Sequence, residues 1–440
     1  MIECRLVSRE RQTAFGGLCV LGHHLLEEGI LEPLSGVEIE QKTVVHSPQE
    51  KLTDALMGIL SGCSTLYEMN LRLRPDLPLQ RAFGRDGLAD QSTVQRTLDA
   101  FTQENVHQLR EAVEAIGGGL SRLAHHDFGR EMLVVEVDLT GLRASKRAER
   151  STKGYFSGER GATGRQLVKA SAPGYGEVIF SELRPGNTNS CEVLKRTIEE
   201  VERVLESSRH QRKRTIVRLD GGFGTDENIN WLIWRGYQLL VKGYGGTRAG
   251  KLAKSVPEGG WHEGPTEGQQ LGIPAAPPRY ARKTKTVVRR WSDAKGKLYT
   301  DYLITTLADL SADEIAKLYD GRAGMEADIK GDKRGLGIEK RRKRSFHAQE
   351  ALVLLAQLAH NLIAHFKRWF LGGSGAQKLG VERLLREILA LPAEARVGKR
   401  GRGRRLLVKL PELHPWAEAL AHGVEARFPP GGWRTILRKI

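Results

Sequence analysis

Three acidic residues lie far apart in the sequence, each beside or within an element that is predicted to belong to the core. They are Asp138, Asp220 and Glu326. Carboxylates that meet repel one another unless a cation lies between them, and hard oxygen ligands favour Mg²⁺ or Mn²⁺. Two such ions can activate a water or a 3′-hydroxyl on one side of a phosphodiester and stabilise the leaving oxygen on the other. The set indicates phosphoryl transfer, although acids that merely cap strands would look the same.

The two aspartates follow runs that are typical of buried strands. Residues 132–139 are almost continuously apolar up to Asp138, and the buried run 215–219 ends directly before Asp220. Acids at the ends of adjacent strands share one edge of the sheet. We therefore expect these two carboxylates to converge although 82 residues separate them in the sequence.

The third acid belongs to a group of four polar residues with helical spacing. Tyr319, Arg322, Glu326 and Lys333 follow one another at intervals of three, four and seven residues. In one continuous helix that begins at Ser311, about 100° per residue places all four within an arc of about 60°. Arginine holds phosphates through its planar fork and lysine as a point charge. The alternative is an ordinary charged helix face in solvent.

The remaining pattern around the two strands predicts an α/β fold. A strand, a hairpin of two more, a helix, a strand, a helix and a strand form the order of a ribonuclease-H-like core. The last five of these elements are predicted at 165–172 with 177–183, 190–207, 215–219, around Trp231 and Trp234, and at 237–242. Residues 243–298 are rich in Gly, Pro and Lys, and strands at 286–291 and 299–307 suggest a mainly β insertion between the second Asp and the Glu. A long amphipathic helix is predicted over 347–370.

Positive charge is concentrated in the C-terminal part of the chain. Residues 1–130 carry 13 Lys and Arg against 18 Asp and Glu, whereas residues 330–440 carry 24 against 9. A basic field attracts polyanions, most commonly nucleic acid. Dense runs lie at 399–405 and at five consecutive cations that are candidate DNA-binding residues, Lys340, Arg341, Arg342, Lys343 and Arg344. A solvated charged surface is the alternative.

The N-terminal third reads as short helices over 48–117. Residues 91–101 are compatible with the second helix of a helix-turn-helix, which would present Gln95 and Arg96 to DNA, but any short capped helix after a loop has the same pattern. We predict five regions: a helical N-terminal DNA-binding domain (1–125), the first part of the core (130–243), a β-rich insertion (244–310), the last core helices (311–370) and a basic C-terminal region (371–440).

The pattern Tyr319-x2-Arg322-x3-Glu326-x6-Lys333 resembles the Tyr-Arg-Glu-Lys signature of bacterial insertion-sequence transposases with an Asp-Asp-Glu active site. Asp138 in VDLTG and Asp220 in RLDGGFG are similar to the first and second acid motifs of that family. The resemblance covers about residues 130–370. It implies a ribonuclease-H-like fold with a β insertion, and cut-and-paste transposition through a hairpin intermediate.

The same resemblance implies roles for individual residues and partners. Asp138, Asp220 and Glu326 would bind two Mg²⁺ or Mn²⁺ ions, and Tyr319, Arg322 and Lys333, the other members of the signature, would hold DNA phosphates. Two protomers would pair the two ends of double-stranded DNA with terminal inverted repeats and join them to target DNA. The expected location is the bacterial cytoplasm, at the nucleoid, and no membrane partner is expected.

One position departs from the family pattern. Family members often carry an aromatic residue after the Arg, whereas this chain has Ala323. Trp261 or Trp291, in the predicted insertion, could instead stack on a flipped base, unless each is a core residue of a small β domain. Two other functions stay open: a metal-dependent nuclease or resolvase on the same fold, and a DNA-binding regulator without catalysis.

Composition excludes several other classes of protein. A hydrophobic share of 40% and a charged share of 28% over 440 residues are typical of a soluble globular protein. The longest apolar stretch, 352–366, is too short to span a bilayer, and the charged N-terminus does not resemble a signal peptide. The four widely spaced cysteines predict neither a disulfide framework nor a zinc site.

Overall fold

Buried apolar residues separate into one core among helices and two cores on the faces of a sheet. A computed structural model describes residues 10–41, 45–156, 159–400 and 403–428. The chain forms two units, each described here by itself. The helical unit comprises the described residues of Met1–Ser121, Ala144–Glu149 and Ala327–Ile440, and the sheet unit comprises those of Arg122–Arg143 and Arg150–Glu326. None of the described helices is long and apolar enough to cross a bilayer.

The helical unit begins with a short strand and six helices. They are β1 (Gln12–Thr13), α1 (Gly16–Glu27), α2 (Pro48–Leu60), α3 (Tyr67–Arg72), α4 (Leu77–Ala82), α5 (Gln91–Asp99) and α6 (Gln103–Leu120). Several begin at side-chain caps. Ser47 and Thr102 each form a capping box at the start of α2 and α6, which satisfies backbone N–H groups that the helix leaves without partners.

The sheet unit contains ten strands and five helices. In chain order they are β2 (Leu133–Arg143), β3 (Thr152–Phe156), β4 (Glu159–Ala172), β5 (Glu177–Pro185), α7 (Ser190–Val204), α8 (Arg209–Lys213), β6 (Thr215–Leu219), α9 (Asp226–Arg235), β7 (Gln238–Lys242), α10 (Gly246–Lys254), β8 (Trp261–Glu263), β9 (Gln269–Gly272), β10 (Lys285–Ser292), β11 (Leu298–Thr305) and α11 (Ala312–Asp320). The strands and helices predicted for 132–242 are thus confirmed, within a few residues at their ends.

The last elements follow in chain order. They are α12 (Ala323–Gly335), which begins in the sheet unit and ends in the helical unit, α13 (Phe346–Phe370), α14 (Val381–Leu384) with a π-helical turn (Leu385–Leu389), β12 (Ala393–Arg400), β13 (Gly403–Lys409) and α15 (Ala417–Arg427). Short 3-10 turns cover Glu32–Gly36, Leu123–His125 and Gly375–Lys378. Residues 401–402, inside the basic run predicted at 399–405, lie outside the described residues.

The core of the helical unit joins both ends of the chain. The long helix α13 is buried on nearly all sides, because apolar residues surround its axis. Its Leu355 and Phe366 belong to the same core as Leu18 and Leu56 near the N-terminus and Leu420 near the C-terminus, all of them fully buried. In a three-stranded sheet, β1 also pairs with β12, which pairs with β13. The regions predicted as separate N-terminal and C-terminal domains therefore share one core.

The large sheet has the order β3-β4-β2-β6-β7-β11-β10-β9-β8, and β5 also pairs with β4. The pairs β2·β6 and β6·β7 are parallel, and the other pairs are antiparallel. One face packs on α7, α9 and α10, and the other packs on α11. The strands of the region predicted as an insertion therefore continue this sheet directly, since β11 pairs with β7.

Two predicted boundaries differ from the structure. The strand at Asp138 does not end there, because antiparallel pairing with β4 continues it to Arg143. The single helix predicted from Ser311 past Glu326 is two helices, since α11 ends at Asp320 and α12 starts at Ala323. At this junction the Arg322 N–H donates to the Tyr319 carbonyl at 2.9 Å, a tighter turn than an α-helix makes. The prediction that all four signature residues lie on one continuous helix face is therefore wrong.

Candidate active site

Strand register places the first two acids side by side. In the parallel pair β2·β6, Val137 lies opposite Leu219, so that Asp138 and Asp220 follow at the same level on adjacent strands. Neighbouring strands are about 4.8 Å apart. The predicted convergence of these two residues is therefore supported by the backbone register.

The alternation of side chains defines the face of the sheet on which these acids lie. Leu219 belongs to the core under α7 and α9, whereas Leu240 and Leu303 belong to the core under α11. Since successive residues of a strand point to opposite faces, Asp138 and Asp220 fall on the face that α11 covers. Helix α11 also leads directly to the remaining signature residues.

Arg322 connects two of the three acids. Its Nη2 donates to Oδ1 of Asp138 at 2.8 Å, and its Nη1 lies 3.6 Å from Oε1 of Glu326. The Arg322 side chain is only 6% exposed and that of Asp138 20%, whereas that of Glu326 is 74% exposed. Burial lowers the pKa of Arg322, but the charges of Asp138, Tyr319 and Asp220 outweigh it and raise this pKa above its ordinary value. The guanidinium is thus a permanent cation between two carboxylates.

The carboxylate oxygens of Asp138 and Asp220 fit a hard divalent ion in chemistry and in register. The third acid does not complete a cage in this arrangement. Within the described ranges, no group of three or more His, Cys, Asp or Glu side chains is gathered closely enough to hold a metal ion. The Arg322 guanidinium lies between the carboxylates of Asp138 and Glu326 and balances their charges, as a metal cation at this place would. The register therefore brings Asp138 and Asp220 together and leaves Glu326 outside the pair, and the role of all three as metal ligands stays a prediction.

A buried ion pair lies beneath the two acids. Arg218, two residues before Asp220, donates from Nε to Oε1 of Glu136 at 2.6 Å and also donates to the carbonyl of Leu318 in α11. Glu136 is fully buried, and burial raises the pKa of its carboxyl despite the nearby Arg218. Since one arginine side chain bonds both the sheet and α11, it fixes the segment that leads to Arg322.

A second ionic network holds the end of α11. Arg289 donates two hydrogen bonds to Asp301 at 2.8 and 2.7 Å and one to Asp320 at 2.8 Å. Its guanidinium also lies 4.8 Å from the ring centroid of Tyr319. Tyr319 is 8% exposed, and burial raises the pKa of its phenol. The predicted phosphate ligand Tyr319 is thus a buried side chain packed on an arginine.

Two buried polar atoms at the site have no hydrogen-bond partner within the described residues. They are Nε of Arg322 and Oε2 of Glu136. Buried polar groups are nearly always satisfied, so an orphaned donor in an active-site arginine needs an explanation. Arg322 therefore keeps one buried donor that its carboxylate contacts do not use.

The fourth signature residue belongs to the helical unit. Lys333 lies in α12, and its Nζ is 3.6 Å from Oε1 of Glu339. The neighbouring Asp332 accepts a hydrogen bond from Nδ1 of His360 at 2.7 Å, and both of these side chains are buried. The role of Lys333 at DNA phosphates stays a prediction.

The two candidate stacking residues lie on opposite faces of the sheet. Trp291 stacks on Tyr299 with ring centroids 6.0 Å apart, in the β10·β11 register that also pairs Arg289 with Asp301. That face carries the acids. Trp261 instead packs against the core under α7 and α9, with the guanidinium of Arg290 3.9 Å from its ring centroid. Sheet alternation therefore removes Trp261 from the face of the site and leaves Trp291.

Only part of the basic segment 340–344 faces solvent. Arg341 is buried and donates to the carbonyls of Leu336 and Gly58 at 2.9 Å each, and to that of Cys63. Lys343 is also buried, where it donates to Gln95. These two candidate DNA-binding residues thus use donors on partners inside the protein, and contact of the segment with DNA stays a prediction. Lys340, Arg342 and Arg344 are exposed.

The two candidate residues of α5 have internal partners as well. Gln95 donates to Asp99 at 2.6 Å and accepts from Lys343. Arg96 is exposed, and its Nε donates to the carbonyl of Ser92 at 3.2 Å. Of the pair, Arg96 is the more exposed side chain, and its contact with DNA stays a prediction.

Sequence reasoning missed the charged residues inside the strands. Glu136, Lys169 and Arg218 all lie within predicted strands, are at most 5% exposed and share the face of the acids. Charged side chains are almost never fully buried unless they are paired. A charged residue inside an otherwise apolar strand could therefore have predicted a buried, paired side chain that supports the site.

The fold and the site together define a class of protein: a mixed α/β sheet with two acids side by side on neighbouring strands and a third after the helix that covers them. The family model described as Transposase DDE domain group 1 matches residues 13–427, and the chain belongs to this family. Members cut and join DNA strands and generally use divalent metal ions. The resemblance stated from the three acids and the signature is confirmed.

The solved structures that are similar to this chain include the following two. One is the cryo-EM structure of a piggyBac transposase synaptic complex with hairpin DNA, with 10% identity and a TM-score of 0.45 over 87% of this chain and 82% of that chain. The other is the crystal structure of a pre-cleavage Mos1 transpososome, with 14% identity and a TM-score of 0.18 over 46% of this chain and 62% of that chain. No curated protein matches the sequence.

Proposed function

We propose that this protein is a DNA transposase that excises and inserts an insertion sequence by metal-dependent phosphoryl transfer. The observation that carries the proposal is the level placement of Asp138 and Asp220 on adjacent parallel strands, with Arg322 2.8 Å from Asp138. These residues belong to a chain of the DDE transposase family. The substrate would be double-stranded DNA with terminal inverted repeats, followed by target DNA.

The strand order supports a ribonuclease-H-like core. In the order β5-β4-β2-β6-β7, the first three strands pair antiparallel to one another. Strands β6 and β7 then run parallel to β2, which is the first core strand along the chain. The succession of these elements along the chain is the one that we expected from the sequence. Strands β8 to β11 would be the family's β insertion, attached here to β7.

Asp138, Asp220 and Glu326 would hold Mg²⁺ or Mn²⁺, two ions for each site. Bound ions would activate the attacking water or 3′-hydroxyl and stabilise the leaving oxygen. The protein's own residues then fix the geometry: Asp138 and Asp220 through the strand register, and Glu326 through its position after the α11–α12 junction. For Glu326 to join the pair, its exposed side chain must turn toward the sheet.

Arg322 has a double role in this proposal. Without DNA it balances the charges of Asp138 and Glu326, and its Nε lacks a partner within the described residues. With DNA bound, its planar fork would bind a phosphate instead, because phosphate offers bidentate acceptors to a guanidinium. The exchange frees Asp138 for a metal ion. DNA and metal would therefore bind cooperatively.

The further details come from the resemblance alone. Two protomers would hold the two ends of the element, and each end would be cut through a hairpin intermediate. Trp291, which lies on the same face of the sheet as the acids, is the remaining candidate to stack on a flipped base. Tyr319, buried against Arg289, would position rather than bind phosphate unless it moves. Lys333 and the exposed cations Lys340, Arg342 and Arg344 would contribute further phosphate contacts.

The experiment uses purified full-length protein, Mg²⁺ and linear DNA that carries the inverted repeats flanking the gene, with a supercoiled target plasmid. We expect excision and strand-transfer products from the wild type, and a loss of about 10³-fold or more in rate for Asp138→Ala, Asp220→Ala and Glu326→Ala with DNA binding intact. Asp309→Ala, an exposed acid of the same unit, is the control.

The products discriminate between the open alternatives. Linear fragments without joined target DNA would assign a nuclease or resolvase. Tight binding without any metal-dependent product would assign a regulator. Cleavage by Glu326→Ala at the wild-type rate would contradict the assignment of the third acid.

A further inference from the structure

Lys242 is the last residue of β7 and lies beside the second acid. In the parallel pair β6·β7, Leu219 is opposite Val241, so that Asp220 and Lys242 follow at the same level on adjacent strands. Lys242 shares its face of the sheet with Leu240, which packs under α11. It therefore lies on the same face as Asp138 and Asp220, one strand beyond them.

The ammonium of Lys242 is accessible and only partly used. Its Nζ lies 3.2 Å from Oδ2 of Asp301, and the side chain is 38% exposed. Asp301 already accepts two hydrogen bonds from the buried Arg289. An ammonium has three donors. Asp301 thus stays paired if Lys242 is replaced, and Lys242 retains donors for a ligand.

The backbone around Lys242 is held tightly against the loop that follows Asp220. A Cβ at Gly224 would come within 2.1 Å of the Lys242 carbonyl oxygen, so the two segments touch. The Gly243 N–H donates to Tyr302 at 2.9 Å, and the Tyr244 N–H donates to Gly224 at 3.0 Å. The position of the lysine relative to Asp220 is therefore fixed by the protein before any ligand arrives.

Two carboxylates next to a DNA phosphate repel it, and the fold places a cation near each carboxylate. Arg322 lies next to Asp138, on one side of the pair, and Lys242 lies next to Asp220, on the other. We propose that Lys242 binds the phosphate next to the scissile one in the cleaved strand, on the Asp220 side. The inference rests on the proposed DNA-cleaving function and adds a substrate-binding residue outside the Tyr-Arg-Glu-Lys signature.

The test measures single-turnover cleavage of inverted-repeat DNA in which one phosphate at a time is replaced by an uncharged methylphosphonate. Lys242→Met keeps the aliphatic stem and removes the charge, and we expect its rate to fall about tenfold or more. In the wild type, one methylphosphonate beside the scissile position should cost a similar factor. In Lys242→Met the same replacement should cost nothing further, because the contact is already gone. Lys242→Arg should regain most of the rate.

The control is Lys254→Met, an exposed lysine of α10 in the same unit. It should cleave at the wild-type rate and keep the full methylphosphonate effect. A wild-type rate for Lys242→Met, or a methylphosphonate effect as large in Lys242→Met as in the wild type, would overturn the proposal. If the wild type itself gives no metal-dependent cleavage, the proposed function fails instead, so the two failures are distinguishable.

Discussion

The acids Asp138 and Asp220 of the sheet unit and the basic segment 340–344 of the helical unit are both charged candidate sites from the sequence, and the fold treats them differently. The acids lie at one level on adjacent strands, beside a bound arginine. The basic segment alternates instead, with three exposed cations and with Arg341 and Lys343 buried. This difference shows that consecutive charged residues do not by themselves form a binding surface, whereas strand pairing can bring distant charged residues together in one site.

The two regions also use buried arginines differently. Both residues are buried, but Arg322 pairs with carboxylates, whereas Arg341 donates to backbone carbonyls. A guanidinium on carboxylates can exchange them for phosphate, because both are anions with a similar fork geometry. A guanidinium on carbonyls has no such exchange. We therefore expect substitution of Arg322 to affect function and substitution of Arg341 to affect stability.

The largest expected effect concerns Arg341. Arg341→Leu should lower the free energy of unfolding by about 3–5 kcal/mol, because the carbonyls of Leu336, Gly58 and Cys63 lose their donor. Chemical denaturation measures the change. Arg342→Leu, an exposed neighbour, should change it by less than about 0.5 kcal/mol. Equal effects of the two variants would remove the distinction between buried and exposed cations in this segment.

Lys343 gives a pH-dependent effect on stability. Burial lowers the pKa of its ammonium to about 8, from an ordinary value of 10.5. Between these two values the unfolded chain binds more protons than the folded protein, so stability rises with pH. At pH 7 the buried charge costs stability, and Lys343→Met should be about 1–3 kcal/mol more stable than the wild type.

The advantage of Lys343→Met should shrink as the pH rises from about 8 to 10.5, since the wild-type lysine then becomes neutral in both states. Thermal unfolding at several pH values measures it. Lys340→Met, which removes an exposed charge, is the control and should show no such trend. A constant difference between Lys343→Met and the wild type across this range would contradict the burial of a charged Lys343.

Arg322 should compete with metal ions when DNA is absent. Arg322→Gln removes the cation beside Asp138 and Glu326, and we expect Mn²⁺ to bind roughly tenfold more tightly, about 1.4 kcal/mol, in titrations followed by electron paramagnetic resonance. Arg248→Gln is the matched control, because Arg248 also pairs with an aspartate of this unit, Asp226, at 2.6 Å. Weaker Mn²⁺ binding by Arg322→Gln would mean that the arginine supports the metal site rather than opposing it.

The smallest effects per residue concern the exposed cations of the basic segment. Replacing Lys340, Arg342 and Arg344 together by Ala should weaken DNA binding by less than about threefold for each side chain. The slope of log affinity against log salt should fall by about 0.9 for each lost phosphate contact. A matched triple variant at exposed cations of the sheet unit, Arg209→Ala with Lys251→Ala and Lys254→Ala, controls for net charge. An unchanged slope in the triple variant would show that these cations do not contact DNA.

The sheet unit was the more predictable half of the chain. Apolar runs, turns and helical periods identified its strands up to Lys242 except β3, because each of the others depends on residues that are close in sequence. The acids Asp138 and Asp220 could be found since each follows such a run. The break between α11 and α12 was visible only as Gly321, where a Cβ would come within 2.9 Å of Arg218, a tertiary contact that local spacing does not reveal.

The helical unit was less predictable because its order depends on distant parts of the chain. The pairing of β1 with β12 joins residues nearly 400 positions apart, and α13 packs on both the N-terminal and the C-terminal elements. Neither the strand pairing nor the packing of α13 produces a periodic pattern in the local sequence. The burial of Arg341 follows from the same packing, since its guanidinium reaches the carbonyls at the end of α2.

The central claim is that Asp138 and Asp220 share a divalent metal ion next to DNA. Anomalous diffraction from crystals of the protein with inverted-repeat DNA and Mn²⁺ tests it most directly. The account predicts an anomalous peak within ligand distance, about 2.2 Å, of carboxylate oxygens from both residues, with the Arg322 guanidinium moved from Asp138 to a phosphate. A catalytically competent complex whose Mn²⁺ peaks lie away from these two carboxylates would contradict it.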